Sequence, residues 1–94
     1  MAEYRITYWR DIPAMVTARD GAATAKSALP DRFQEAIDEA AMRLGMAGSD
    51  AYLEQWRHGD WEQGEGTPDQ LVAAVAERVD GDYDERRLGE LLEV

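Results

Sequence analysis

Acid–base chemistry is the first use that suggests itself for this chain, because 20 of its 94 residues are Asp or Glu. Asp38 and Glu39, Asp82 and Asp84, and Glu90 and Glu93 form close pairs, as a general acid and base would require. That work needs a carboxyl group pushed from its ordinary pKa by burial. These pairs fall instead on predicted helix surfaces and ends, where solvated charge is expected. His58, the only histidine, has Asp60, Glu62 and Glu65 nearby, which suggests a carboxylate–histidine metal site. The plainer reading is a solvated imidazole at a helix C-terminus, since a glycine-bearing loop holds ligands in poor geometry. Ser27 and Ser49 lack a nucleophile-elbow context, and there is no cysteine to supply a thiolate. Gly64-Glu65-Gly66 is acidic and reads as having no strand before it, so it is no phosphate cradle. No catalytic residue, cofactor site or metal site is expected. The chain does not read as an enzyme.

Binding chemistry is better represented. Three tryptophans occur, and two are followed directly by arginine, as Trp9-Arg10 and Trp56-Arg57, with Trp61 close behind. Tryptophan and arginine are enriched where interfaces concentrate their binding energy. Arg5, Trp9, Arg10 and Trp61 are the candidate partner-contacting residues. The competing reading makes Trp56 core, places Trp9 beneath a C-terminal helix, and has Trp61 pin a loop. Charge bears on the choice of partner. The formal net charge is −10, and through Arg32 five basic residues face four acidic ones, leaving five basic against sixteen acidic beyond. Nucleic acid and anionic membrane surfaces would be repelled by that second half, whereas a basic protein surface would be attracted. Solubility alone is the simpler use of such acidity.

The elements that must position these residues follow from periodicity. Glu3–Arg10 alternates Tyr4, Ile6 and Tyr8 with Arg5, Thr7 and Trp9, which predicts a strand with two distinct faces. Asp11-Ile12-Pro13 is expected to turn the chain. A second strand is expected over Ala14–Arg19, an Asp20-Gly21 hairpin turn of type I′ next, and then an alanine-rich edge strand from Ala23 to Ala28 with Lys26 outward. At Leu29-Pro30 the period changes from two to 3.6 residues. Phe33, Ile37, Ala40, Ala41 and Leu44 make one apolar stripe, with Asp31 and Gln34 as a capping box, Gly45-Met46 as a Schellman stop, and Glu39–Arg43 as an ion pair. Ser49 opens a second helix carrying Tyr52, Leu53 and Trp56 up to Gly59, and Asp60–Gly66 reads as a loop. Thr67-Pro68-Asp69-Gln70 is a strong helix start, followed by Leu71, Val72, Val75, Ala76 and Val79, with Asp80-Gly81 as the stop. Leu88, Leu91 and Leu92 mark a last helix weakened by Gly89.

These elements predict one α+β domain over residues 1–94. Residues 1–29 form a three-stranded antiparallel meander, and three to four helices in residues 30–94 cover it as a second layer, with the tail 82–94 loosely attached. The expected core is Tyr4, Ile6, Tyr8, Val16, Phe33, Ile37, Leu44, Leu53, Trp56, Val72, Val75 and Val79. The opening MAEYRITYWR lacks the basic and apolar regions of a secretory leader, and no run reaches the length of about 20 apolar residues that spans a membrane. A cytoplasmic location is expected.

Tyr8-Trp9-Arg10-Asp11-Ile12-Pro13, Leu29-Pro30-Asp31-Arg32-Phe33 and the Tyr52-Leu53-Trp56 segment carry a resemblance. Over Glu3–Arg57 the chain resembles the small bacterial domain family labelled "virulence factor", with the residues after Arg57 outside the match. The resemblance brings no catalytic residues. It implies an accessory protein whose gene lies beside those for folate-linked one-carbon and corrinoid methyl-transfer enzymes. Two functions are therefore expected in competition. One is a non-catalytic accessory subunit or adaptor for a protein partner, with a methylenetetrahydrofolate reductase as the first to try. The other is a small-molecule or metal-binding protein, with a flat pterin-like ligand held in a pocket rimmed by Tyr4, Tyr8 and Trp9, or a divalent cation held in the acidic loop.

Overall fold

A computed structural model describes residues 2–92; Met1, Glu93 of the Glu90–Glu93 pair and Val94 at the end of the tail lie outside the described residues. Among the described residues the fold is α+β, with five antiparallel strands and four helices. Strands β1 (Ala2–Trp9), β2 (Ile12–Asp20) and β3 (Ala23–Ala28) come first. Helices α1 (Asp31–Arg43) and α2 (Asp50–Glu54) follow, then strands β4 (Trp56–His58) and β5 (Glu62–Gly64), and finally helices α3 (Pro68–Asp82) and α4 (Glu85–Leu91). The sheet order is β3-β2-β1-β4, with β5 also paired to β1.

The two extra strands correct the expected sheet of three. Backbone groups along the second edge of β1 need partners, and two short segments supply them, His58 lying opposite Thr7 and Gln63 opposite Glu3. Gly59 bridges the gap by donating its N–H to the Ile6 carbonyl at 2.8 Å. Each segment has only three residues, too few for an alternation to be visible. Helix α2 accordingly ends at Glu54, Trp56 belongs to β4, and the expected loop 60–66 contains β5.

Both hairpins turn differently from expectation. The first is closed by Arg10-Asp11, because Trp9 pairs with Ile12. Pro13 then lies inside β2, opposite Tyr8 at a register shift, where the interrupted ladder does not need its missing N–H. In the second, Asp20 pairs with Ala23, so Gly21-Ala22 is the central pair. Gly21 has φ +60 and Ala22 is not left-handed, the pattern of a type II′ turn rather than type I′.

Helix α1 starts at Asp31 with Pro30 at its N-cap and no side-chain cap; Gln34 bonds Asp38 at 2.9 Å instead of completing a box. Its end follows expectation: Gly45 has φ +70, and the N–H of Met46 reaches the Ala41 carbonyl at 2.8 Å, a Schellman closure. The Glu39–Arg43 pair forms at 2.9 Å. At α3 the capping box is complete, Thr67 and Gln70 exchanging bonds of 3.1 and 3.2 Å. That helix continues through Gly81 to Asp82, past the expected stop.

Helix α3 packs against β1, β2 and β3, joining Leu71, Val72, Val75 and Val79 to Tyr4, Val16 and Ala18 in a core that includes Phe33, Ile37, Ala40 and Ala41 of α1. Arg32 ties α1 to α3 through the carboxylate and carbonyl of Asp80, at 2.6 and 2.8 Å. Ile6, Leu44 and Trp56 pack against this core half-buried, and Tyr8 is half-buried. Leu53, expected in the core, is 65% exposed, because its helix neighbour Tyr52 is the α2 side chain that packs against the core.

Candidate functional site: the polar face of the sheet

Strand alternation and register place the charged side chains. Arg5 lies opposite Thr17, which lies opposite Lys26; Glu3 lies opposite Arg19, and Thr7 opposite Met15. Directly paired residues share a face, so Arg5, Arg19 and Lys26 lie on one side of the sheet with Glu3, Thr7, Met15 and Thr17. None of these seven side chains is fully buried. Trp61, just before β5, joins them: the guanidinium of Arg19 lies 3.8 Å from its ring centroid and that of Arg5 4.6 Å. These are cation–π distances. Arg19 also pairs with Glu3 at 3.0 Å. The Arg5 Nε is buried without a hydrogen-bond partner, and the indole packs against that side chain. His58, expected at a helix end, is instead exposed in β4, with Nδ1 3.0 Å from the Thr7 hydroxyl.

Of the four candidate contact residues, Arg5 and Trp61 thus meet, while Trp9 and Arg10 lie elsewhere. Trp9 is 0% exposed, so an open docking position for it is not what the fold provides. Its indole N–H donates to the Tyr52 carbonyl at 2.9 Å, and its ring lies 5.5 Å from that of Tyr52. Ala40 of α1 and Leu91 of α4 line a small hollow with Trp9 at the same end of the hairpin. Arg10 occupies the turn with φ +54, the only non-glycine described in the left-handed region. Its N–H donates to the Gln55 carbonyl at 3.0 Å, and its own carbonyl accepts from Arg57 Nε at 2.9 Å.

This arrangement explains the paired Trp-Arg doublets. Trp9 lies opposite Trp56 and Tyr8 opposite Arg57, so the doublets are neighbours in the sheet. Arg57 spans the Tyr8 ring at 4.5 Å and holds the strained turn. One doublet is the clamp on the other. Only the pairing of two segments 47 residues apart reveals this, and nothing local signals it.

Two larger hollows lie elsewhere on the surface. Ile6, Tyr8, Gly59, Asp60 and Glu62 line a polar cleft of about 220 Å³. Burial is the main cause that raises the Tyr8 phenol above its ordinary pKa, with the Tyr83 phenol adding to it and Arg57 opposing. An apolar hollow of about 330 Å³ lies between α1 and α2, lined by Asp38, Ala41, Met42, Ala47, Gly48 and Tyr52. Tyr4, Tyr8 and Trp9 do not rim a common pocket: Tyr4 and Trp9 are buried in the core and Tyr8 lines the cleft. Among the described residues, no group of three or more His, Asp or Glu side chains is placed to hold a metal ion. Among the same residues, no helix is long and apolar enough to cross a membrane.

The chain belongs to the Virulence factor family, whose model matches residues 7–92. The match runs well past Arg57, so the acidic helical half, expected to lie outside it, is part of the family domain. No curated protein and no solved structure matches the chain.

Proposed function

We propose that this protein is a non-catalytic accessory subunit or adaptor of the cytoplasm that binds a protein partner through the polar face of its sheet. In this reading β1–β3 form a meander, the helices form a second layer on the Tyr4–Val16 side, and the other side is left for the partner. The observation that carries it is Trp61 engaged by both Arg5 and Arg19 on that face. A large aromatic in contact with two cations, rather than sunk into the core, is the composition of an interface centre. The family resemblance makes a folate-linked one-carbon enzyme, such as a methylenetetrahydrofolate reductase, or a corrinoid methyl-transfer system the first partner to test.

The experiment is affinity purification of the tagged protein from native extract, compared with a Trp61→Ser variant. Stoichiometric recovery of a folate-linked or corrinoid enzyme, lost in the variant at unchanged melting temperature, supports the reading. Recovery of the protein alone at low salt overturns it. A small-molecule role would use the hollow at Tyr52 and Met42, whose volume of about 330 Å³ falls in the range of small-ligand sites. Native mass spectrometry with added folates separates the two: a bound folate favours the ligand role, and an unchanged apo mass removes it.

A further inference from the structure

We propose that the occupant of the Arg5–Trp61–Arg19 face is an acidic segment of the partner protein, laid across β1–β3 and paired with Arg5 and Lys26. The inference rests on the docking reading above and adds the chemistry of the partner.

Charge supply is the first argument. The chain has twice as many acidic as basic residues, so a cation without an oxygen partner is unexpected. Eight of the ten cations find an oxygen partner: a carboxylate for Arg19, Arg32, Arg43, Arg57 and Arg86, and an amide, hydroxyl or carbonyl oxygen for Arg10, Arg78 and Arg87. On the sheet face only Arg19 has one, Glu3. Neither Arg5 nor Lys26 is paired with a carboxylate among the described residues, although both stand on the same cross-strand row.

Preorganisation is the second. Arg5 lies against the Trp61 ring with its Nε buried, so its side chain is already ordered and loses little freedom on binding. Strands two apart in a sheet are about 10 Å distant, and carboxylates two to four residues apart on an extended segment span about 7–13 Å. One such segment brackets Arg5 and Lys26.

Charge outside the face selects a protein segment over nucleic acid. Apart from Glu3, Arg5, Arg19 and Lys26, the chain carries 19 acidic residues and 7 basic ones. A long polyanion reaching beyond the patch would meet that repulsion, whereas a short acidic segment confined to the face would not. The Trp61 ring is also engaged by two guanidinium groups, which leaves it a poor platform for stacking bases.

The test is titration of the full-length isotope-labelled protein with a synthetic peptide alternating Glu and Ser, at low salt, followed by amide chemical shifts. Expected are saturable shifts centred on Thr7, Thr17 and Lys26, weakening as salt rises. Affinity should fall about tenfold in Lys26→Glu and in Arg5→Gln, and stay unchanged in Arg86→Gln. Lys26→Glu guards against a folding artefact, since that side chain is exposed on the edge strand. Four results would each overturn the proposal: no saturable binding, shifts centred on α1 or α3, an oligothymidylate of matched length binding at least as tightly, or a dimer in sedimentation that the peptide dissociates. Extract purification with Lys26→Glu separates the two levels. A partner still recovered by that variant refutes the acidic-segment chemistry but leaves the accessory role standing. Peptide binding without any recovered partner does the opposite.

Discussion

Replacing Trp9 by alanine should be among the most damaging single changes available to this fold. The side chain is 0% exposed, and a buried tryptophan removes about 150–250 Å² from water. At roughly 25 cal/mol per Å² that burial is worth about 4–6 kcal/mol as an upper bound, and measured losses for comparable truncations are about 3–5 kcal/mol. A further contribution is polar: the Tyr52 carbonyl loses the indole N–H that donates to it at 2.9 Å, at about 1–3 kcal/mol if no water replaces it. A chain of 94 residues has a total stability of about 5–14 kcal/mol. Trp9→Ala should therefore remove a third or more of it and lower the melting temperature by roughly 15–30 °C. Trp9→Phe keeps most of the ring and should lose about 1–3 kcal/mol, chiefly the hydrogen bond. Urea and thermal unfolding followed by far-ultraviolet circular dichroism measure both. A loss below about 1 kcal/mol for the alanine variant would refute the burial argument and return Trp9 to the surface.

Three further outcomes are expected. Arg10→Gly should be neutral or slightly stabilising in urea titration, because relief of a left-handed φ of +54, worth about 1 kcal/mol, offsets loss of the long Arg10–Gln55 side-chain bond at 3.5 Å. Thr67→Ala should cost about 1 kcal/mol by the same measurement, since it removes the acceptor of the Gln70 N–H in the capping box. The Tyr8 phenol is held above its ordinary value, mainly by burial, so its contribution to stability is intact below about pH 10 and is lost as pH rises through the raised folded value. Alkaline unfolding should therefore be less steep in Tyr8→Phe, and a tyrosine absorbance titration of the native protein should show one phenol ionising late.

The parts of this fold that were legible in the sequence are those whose signal is local. The Thr67-Pro68-Asp69-Gln70 start, the Gly45-Met46 stop and the stripes of α1 and α3 depend on residues within one or two helical turns, and each appears in the structure. The pairing of β4 and β5 with β1 depends on segments about 50–60 residues away in the chain, with no periodicity to announce it. The alternation of β1 is visible in the sequence, yet it does not say what sits at its end: Trp9 shares a parity with Arg5 and Thr7, but beyond the polar patch it is buried in the core against Tyr52. Within the site, Arg5 is legible from its place on the strand face that carries Thr7 and Trp9, and Trp61 from residue type alone. Arg19 and Lys26 were missed because only the cross-strand register gathers them. Lys26 on its own signals only protection of an edge strand.

The placement of β1 at the centre of the sheet has a consequence for the order of events during synthesis. Its hairpin with β2 needs only the first 20 residues, and β3 adds to it locally. Its other edge is completed by β4 and β5, which reach to Gly64, and the helix that packs across the three strands begins only at Pro68. At a synthesis rate of about 5–20 residues per second, the growing chain therefore passes several seconds with the second edge of β1 unpaired and the Tyr4–Val16 surface bare. That open edge is an invitation to join another strand. Protection of that edge and surface by a chaperone would therefore matter most before α3 has been made.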